Sequence, residues 1–282
     1  MRITSLIENS RLPDRPDLVA EHGVSLHVQH GDTSLLFDTG ASEGFAHNAA
    51  RLGVDLGAVR LSVLSHHHYD HGGGLARFFR ENDHAPVYLG RPDVGACHAR
   101  LFGLVHRYIG FDRSLIQDHP DRFLPVEGMI EPAPGIFVLA DIPTPHAPPA
   151  GNRIMFLHQG KTFVPDKFDH EVLVVIRGDD GLAVITGCSH RGILNMVEAV
   201  VGRFPGERIR ALIGGFHLMG LPFLNTMAGS RAEVERLALD LGQHPIDRAY
   251  TGHCTGEKAY RVLHSILGDR LTSFPAGRVI EV

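Results

Sequence analysis

The segment Ser65-His66-His67-His68-Tyr69-Asp70-His71-Gly72-Gly73-Gly74 decides the fold of this chain. It follows directly on residues 59–64, an apolar, β-branched run that predicts a buried strand. Alternation along an extended strand end places the first and third histidines and the aspartate on one side, and the last histidine follows where the chain turns. Crowded ligand-type side chains are costly unless something pairs them, and a divalent metal pairs them well. We therefore predict a metal site rather than a solvated histidine-rich loop, with the candidate ligands His66, His68, Asp70 and His71.

Composition restricts the class of protein. The 282 residues are 43% hydrophobic, with 32 glycines and 17 prolines, which suits one large α/β domain or two small ones. The net charge of −5 comes without any basic block, so nucleic acid is not an expected partner. We expect a small-molecule substrate instead, and the sequence leaves the oligomeric state open.

The expected compartment is the cytoplasm. The N-terminus lacks the apolar region of a signal peptide, and no apolar run is long enough to span a bilayer, so no membrane association is predicted. Three cysteines, Cys97, Cys188 and Cys254, cannot form a disulfide framework, which fits a reducing environment.

Strands that end in polar residues recur along the chain. In the first half, strands are predicted at 2–8, 24–29 and 34–37, with helices at 45–52 and 74–81 on either side of the strand at 59–64. In the second half, strands are predicted at 171–177, 182–186 and 209–213, helices at 193–201 and 230–241, and a last strand ends at Thr251. This order suggests two similar ββα halves whose polar strand ends meet at one edge.

Residues 91–170 are the least regular part of the sequence. They include apparent helical turns at 94–108 and a proline-rich passage at 132–149. Irregular segments of this length inside a domain are usually functional, so we predict a single domain, 1–282, with an insertion at about 91–170 that covers the site. Four arginines of the insertion fit either an anion-binding rim or solvated helix faces: Arg91, Arg100, Arg107 and Arg113.

Three later strand ends each carry a histidine beside glycine: His190, His217 and His253. One such histidine alone is more often a core residue than a ligand. Three at matching positions, beside the cluster described above, favour His190 and His253 as further ligands, because glycine lets the backbone approach a shared ion. Neutral imidazole and carboxylate suit one or two Zn²⁺ ions, although Fe, Mn, Co and Ni accept the same set.

The chain resembles the metallo-β-lactamase superfamily through Asp38 in LLFDTG, the SHHHYDHGGG segment, and the histidines of GCSHRG and GHCTG. Within it, the motifs EHG (21–23), GCSH, GGFHL and HCTG are similar to a branch that holds archaeal dihydropterin–ribofuranosyl-aminobenzene phosphate synthases and many uncharacterised hydrolases. The resemblance implies an αββα sandwich with a one- or two-metal site at the sheet edges. It also implies one metal on His66, His68 and His190, a second on Asp70, His71 and His253, and Asp38 supporting the site by hydrogen bonds.

One departure from the family pattern concerns the bridge between the two metals. The superfamily usually supplies an aspartate after the strand predicted here at 209–213, but this strand leads into Gly214-Gly215-Phe216-His217. The bridge is therefore absent, or His217 or Cys188 replaces it. His217 is either a ligand or an acid/base that contacts substrate, and Cys188 also fits a buried packing role.

The expected chemistry follows from the metal. A bound water has its pKa lowered from about 16 to near 7, which provides hydroxide at neutral pH. Asp70 can orient that hydroxide while binding metal, so we predict hydrolysis of an ester, amide or phosphoester. The synthase-like relatives imply instead a condensation that displaces diphosphate from a pterin. A non-catalytic sensor of metal or ligand on the same fold has the same residues.

Other enzyme classes match only in part. Asp38-Thr39-Gly40 looks like an aspartic protease loop, but that chemistry needs a second such aspartate, and no second D-T-G exists. The H-G-G-G at 71–74 and Gly187-Cys188-Ser189-His190-Arg191 approach a serine hydrolase, yet Arg191 stands where the nucleophile elbow needs glycine. Di-iron redox chemistry usually needs a flavin partner, and no flavodoxin-like domain is seen.

Overall fold

The computed structural model describes residues 1–220 and 226–282. Its strands are β1 (Arg2–Ile7), β2 (Ser25–His30), β3 (Thr33–Phe37), β4 (Leu61–Leu64), β5 (Val87–Gly90), β6 (Ala96–Leu101), β7 (Val105–Tyr108), β8 (Phe123–Val126), β9 (Met129–Ala133), β10 (Ile136–Leu139), β11 (Met155–Gln159), β12 (Thr162–Pro165), β13 (Leu173–Gly178), β14 (Gly181–Ile185), β15 (Ile209–Ile213), β16 (Ile246–Thr251), β17 (Leu271–Ser273) and β18 (Val279–Glu281). Its helices are α1 (Gly44–Leu52), α2 (Tyr69–Gly72), α3 (Leu75–Glu81), α4 (Ser114–Asp118), α5 (Ile193–Arg203), α6 (Arg231–Gly242) and α7 (Glu257–Leu267).

Two large sheets have related topologies. The first sheet has the order β18-β1-β2-β3-β4-β5-β8, and the second has the order β17-β16-β15-β14-β13-β10-β9. In each, a hairpin (β2–β3 or β13–β14) is followed by a helix and then by strands parallel to the second strand of the hairpin. The predicted pair of similar halves is therefore confirmed.

The core lies between the two sheets, and helices cover their outer faces. Along β13, Val174 and Ile176 point into the cluster shared by both sheets, while Leu173 and Val175 join the cluster beneath the helices of the second half. Strands buried on both faces read as continuous apolar runs, which is why 171–177 was recognisable. On the other side of the molecule, Phe45 of α1 packs against the first sheet. The result is the predicted four-layer αββα sandwich.

A third, small sheet has the order β12-β11-β6-β7, so the prediction of helical turns at 94–108 is wrong. The turn Phe102-Gly103 reverses the chain between β6 and β7, with φ of 50° and 74° at the two residues. The rest of 91–170 does not form one block, because β8 joins the first sheet and β9 and β10 join the second.

Two strands follow the predicted last strand at Thr251. β17 lies parallel to β16, and β18 lies antiparallel to β1 at the edge of the first sheet. Each has three residues, too few for a hydrophobic period to be visible. Among the described residues, no helix has the length and apolar character to cross a bilayer.

The polar strand ends meet at one edge of the sandwich. Four of the residues there have left-handed backbone conformations that non-glycine residues rarely adopt, with φ between 46° and 58°: Asp38, Ser189, His217 and His253. The two sheets approach closely at this edge, since a Cβ added to Gly187 would lie 2.2 Å from Oγ of Ser65.

Candidate metal centre

Three imidazoles converge where β4 and β14 end. Nε2 of His66 lies 3.1 Å from Nδ1 of His68, and the ring of His190 is 4.8 and 5.0 Å from those two rings, between centroids. One ligand atom from each of the three lies within 4.8 Å of the others, and all three residues are buried. Nε2 of His190 has no hydrogen-bond partner among the described residues. The three rings are thus arranged to share one cation.

A second group adjoins the first and contains Asp70, His71, Cys188 and His253, again with ligand atoms within 4.8 Å of one another. Oδ2 of Asp70 lies 3.3 Å from Nε2 of His253 and 3.8 Å from Nε2 of His71. Sγ of Cys188 lies 3.2 Å from Nε2 of His71. The structure therefore brings together the six predicted ligands as two neighbouring sets of three, with Cys188 added to the second.

The predicted strand register within the motif is wrong. The chain is still extended at His68 but turns into a helix directly after it, and α2 carries both Asp70 and His71. The N–H groups of Gly72 and Gly73 donate to carbonyls one turn back, at 3.0 and 2.7 Å, which closes this helical turn. The turn separates the aspartate from His66 and His68 and delivers it to the second group.

Cys188 lies between the two groups. Besides its place in the second group, its Sγ forms a cluster with ligand atoms of His190 and His217. Burial raises the pKa of the Cys188 thiol well above its usual range. Of the two predicted substitutes for the bridging aspartate, Cys188 shares clusters with histidines of both groups, whereas His217 shares one only with His190 and Cys188 itself among the described residues.

Asp38 holds one of the histidines from behind. Its Oδ2 accepts a hydrogen bond from Nδ1 of His71 at 2.6 Å, and its two oxygens accept from the N–H and the hydroxyl of Ser65, both at 2.7 Å. A proton fixed on Nδ1 leaves the Nε2 lone pair facing the second group. This is the arrangement expected for Asp38.

Two asparagines hold later histidines in the same way, and neither was predicted from the sequence. Oδ1 of Asn9 lies 2.9 Å from Nδ1 of His253, and Oδ1 of Asn152 lies 3.0 Å from Nδ1 of His190. An amide oxygen can only accept, so both Nδ1 atoms carry the proton and both Nε2 atoms offer a lone pair. Asn9 is the second residue after β1, and its place near a strand end was the one signal available.

Two buried glutamates anchor the backbone of the same histidines. Glu8 accepts the N–H of His253 at 2.5 Å, and Glu171 accepts the N–H groups of His190 and Arg191 at 2.8 and 2.7 Å. Burial raises the pKa of Glu171 to about 8, although these hydrogen bonds oppose the rise. Neither glutamate was predicted, because each binds a histidine far away in sequence.

The electrostatics favour metal-binding protonation states. Burial lowers the pKa of His66 and His190 well below the usual range and lowers that of His68 to about 3. Burial alone would raise the pKa of Asp70, but the imidazoles around it, His71 first, more than offset this and hold it well below its usual range. Burial alone would lower the pKa of His71, but the neighbouring carboxylates more than offset this and raise it. At neutral pH His66, His68 and His190 are therefore neutral imidazoles and Asp70 is an ionised carboxylate, the forms that bind metals.

His217 and His22 complete the polar surroundings. Both ring nitrogens of His217 are buried and lack hydrogen-bond partners in the described part of the chain, which leaves the ring available to a ligand. Nε2 of His22 lies 3.3 Å from Oδ2 of Asp70, and its ring lies 4.6 Å from that of His253. The sequence drew attention to His22 through the EHG motif alone and assigned it no role.

A cavity of about 740 Å³ opens onto both groups. Its lining combines the two groups with apolar side chains. The lining residues of or beside the two groups are His22, His68, Asp70, Cys188, His190, His217 and His253, and the apolar lining residues include Ala99, Leu101, Ile109, Ile154, Met155, Met219 and Met227. This volume suits a small molecule of drug size.

The structure argues against the aspartic protease and the serine hydrolase, because the residues that would be their base and nucleophile are buried and hydrogen-bonded. The carboxylate of Asp38 is 1% exposed and bonded to Ser65 and His71, so it cannot activate a water as a protease aspartate does. Oγ of Ser189 donates to the carbonyl of Gly215 at 2.7 Å and is fully buried, so it is no nucleophile.

An αββα sandwich that gathers histidines and an aspartate at its strand ends defines a metal-binding class of α/β proteins. The sequence model of the metallo-beta-lactamase superfamily matches residues 20–204, and the chain belongs to that superfamily, whose members typically bind metal ions.

Individual relatives agree along nearly the whole chain. The 7,8-dihydropterin-6-methyl-4-(beta-D-ribofuranosyl)-aminobenzene-5'-phosphate synthase of Methanocaldococcus jannaschii is 26% identical over 280 residues, covering 93% of this chain and 90% of the synthase. An uncharacterised protein of the same organism is 28% identical, covering 93% of each chain. The crystal structure of Tm1679, a metal-dependent hydrolase of the beta-lactamase superfamily, superimposes with a TM-score of 0.82 at 29% identity and covers 100% of this chain and 99% of that one.

Proposed function

We propose that this protein is a Zn²⁺-dependent hydrolase that cleaves an ester, amide or phosphoester bond of a small molecule. The observation that carries the proposal is the convergence of three neutral imidazoles, those of His66, His68 and His190, of which the last two line the cavity. Such a set suits Zn²⁺. The similarity to a metal-dependent hydrolase over the full chain supports the same reaction class.

One ion would be held by His66, His68 and His190, and a second by Asp70, His71 and His253, with Cys188 between them. A divalent cation supplies Lewis acidity, which makes water acidic near neutral pH and polarises a carbonyl or phosphoryl oxygen. The buried Nε2 atom of His190, which lacks a partner among the described residues, fits this assignment because a buried polar atom is costly when nothing binds it.

Two side chains of the cavity wall would move protons. Asp70 presents an ionised oxygen at the cavity, so it can accept a hydrogen bond from the attacking water and orient it. His217 has a ring free of partners within the described residues and lines the same cavity, so it can donate a proton to the leaving group.

The test is metal analysis of freshly purified protein, followed by turnover of phosphodiester, lactone and thioester substrates before and after chelation. We expect stoichiometric zinc, loss of turnover with EDTA or phenanthroline, and recovery when zinc is restored. His68→Ala should lose metal and turnover together, while His84→Ala, an exposed residue beside Asp83, should keep both. Full turnover by metal-free protein would refute the proposal, and Fe, Mn, Co or Ni in place of zinc would correct the metal.

A second candidate is a pterin-condensing transferase that displaces diphosphate. The full-length similarity to the archaeal synthase favours it. Diphosphate release from a dihydropterin diphosphate, dependent on an added aminobenzene ribofuranosyl phosphate, would support this reaction over hydrolysis. A sensor is indicated if the protein binds metal and ligand through His68 yet turns over none of these compounds.

A further inference from the structure

We infer that Arg107 binds an anionic group of the substrate, and that the substrate is an apolar or aromatic molecule carrying a carboxylate or phosphate at a distance from the reacting bond. This inference rests on the proposed function, because it concerns the same cavity. It selects one of the four arginines that the sequence offered as an anion-binding rim.

The small sheet forms one wall of the cavity, and Arg107 is the cation on that wall. Arg107 of β7 stands opposite Ala99 of β6, which in turn stands opposite Met155 of β11. Because alternate residues of a strand share a face, Leu101 lies on the side of Ala99 and Ile109 on the side of Arg107. All five line the cavity, and four of them are apolar, so the guanidinium is the one charged group among them.

Arg107 has no ion-pair partner among residues 1–220 and 226–282. The other three arginines of this segment are engaged: Arg91 pairs with Asp141 at 3.4 Å, Arg100 lies 4.3 Å over the ring of Phe156, and Arg113 donates to the carbonyls of Gly95 and Pro92. Arg107 is exposed, so its guanidinium is available to a ligand, and its planar pair of donors matches a carboxylate or a phosphate.

Backbone hydrogen bonds fix this wall relative to the candidate metal centre. The N–H of Tyr69 donates to the carbonyl of Ile109 at 2.8 Å, and the N–H of Phe111 donates to the carbonyl of His67 at 3.0 Å. Arg107 precedes Ile109 by two residues, about 7 Å along an extended strand. The anion would therefore lie several ångströms from the histidines, with the apolar body of the substrate spanning the interval.

The test measures binding at equilibrium and needs no turnover. Isothermal titration calorimetry on the zinc-loaded protein compares naphthalene-2-sulfonate, whose anion is a poor metal ligand, with neutral 2-naphthol. We expect wild type to favour the sulfonate by about tenfold or more, the scale of a charge-assisted hydrogen bond. Arg107→Gln should abolish that preference, Arg107→Lys should keep part of it, and Arg100→Gln, on the opposite face, should keep all of it.

Parallel titrations with 2-naphthoate and naphthalene-2-phosphonate, neither of which has a hydrolysable bond, distinguish the two anions, because the natural one should show the larger loss in Arg107→Gln. Equal affinity of wild type and Arg107→Gln for the sulfonate would overturn the inference, as would equal affinity of wild type for the sulfonate and the naphthol, or binding of neither. The proposed function fails separately, through turnover by metal-free protein, and these binding results would stand in that case.

Discussion

His217 is the residue whose role is easiest to separate from metal binding. Its left-handed φ of 48° is tolerated better by asparagine than by other residues, so His217→Asn removes the imidazole with little backbone penalty. We expect kcat to fall by about 10²–10⁴, as when a general acid is lost, with zinc content unchanged. Steady-state kinetics and metal analysis of the same preparation check this. A matched loss of zinc would make His217 a ligand instead.

His27 gives a pH-dependent contribution to stability. Burial lowers its pKa to about 4 from an ordinary value of 6.5, and its Nε2 lies 2.7 Å from Oγ of Ser34. Between pH 6.5 and pH 4, His27 is therefore protonated in the unfolded chain but neutral in the folded one. The free energy of unfolding consequently decreases as the pH falls from 6.5 towards 4.

The matched variant is His27→Gln, which does not titrate. Between pH 7 and pH 5, we expect the free energy of unfolding of wild type to fall by about 1–2 kcal/mol more than that of the variant. Urea unfolding at both pH values measures the difference. Parallel losses in the two proteins would show that His27 titrates normally in the folded state.

At the scale of single residues, the sequence indicated the groups that lie close together along the chain. The H-x-H-x-D-H spacing was visible because its residues are local and chemically unusual. Asn9 and Asn152 were missed because asparagine is common and each contacts its histidine across a long sequence separation. Such contacts exist only once the strands are placed.

At the scale of elements, a substitution at Gly187, just after β14, tests how closely the two sheets must approach each other. A Cβ on Gly187 would lie 2.2 Å from Oγ and 2.7 Å from Cβ of Ser65, whose hydroxyl is bonded to Asp38. Gly187→Ala should therefore cost about 1–3 kcal/mol and weaken zinc binding, since overpacking displaces β4 and the histidine that follows it. Denaturant unfolding and chelator competition measure the two effects.

The control is Gly202→Ala. Gly202 lies in α5, and no atom lies within 4 Å of an added Cβ there. Alanine should raise stability by about 0.5–1 kcal/mol through helix propensity and leave zinc affinity unchanged. If Gly187→Ala and Gly202→Ala had the same effect on stability and on zinc affinity, the strand ends would have room to separate.

The elements that were predicted correctly have a clear pattern of apolar residues, whereas the apolar pattern of β6 and β7 is misleading. Apolar residues at Val94, Cys97, Leu101, Leu104 and Tyr108 recur every three or four residues, as on a helix. In the structure the period arises from two short strands joined by a tight turn. Local spacing cannot reveal the reversal, because Phe102 is not a residue that ordinarily marks such a turn.

For the whole molecule, the candidate centre links the two halves. His66 and His68 follow β4 of the first sheet, and His190 follows β14 of the second. Zinc at one hundred times its dissociation constant should stabilise the folded state by about 2.7 kcal/mol, and the thermal midpoint should rise by about 5–10 °C. Calorimetry of chelated and reloaded protein measures this, and His190→Ala should abolish most of the rise. No shift in wild type would mean that the ion binds the folded and unfolded chains alike.

The backbone at Asp38, Ser189, His217 and His253 changes how a mutational survey of this protein should be designed. Alanine there removes the side chain but retains an unfavourable φ that costs about 1–2 kcal/mol, whereas glycine removes both. Glycine variants at these positions should therefore melt above the alanine variants while lacking the same functional groups. A survey restricted to alanine would mix the energetic cost of the left-handed backbone with the loss of the side chain's function. Comparing alanine with glycine at each position separates these two contributions.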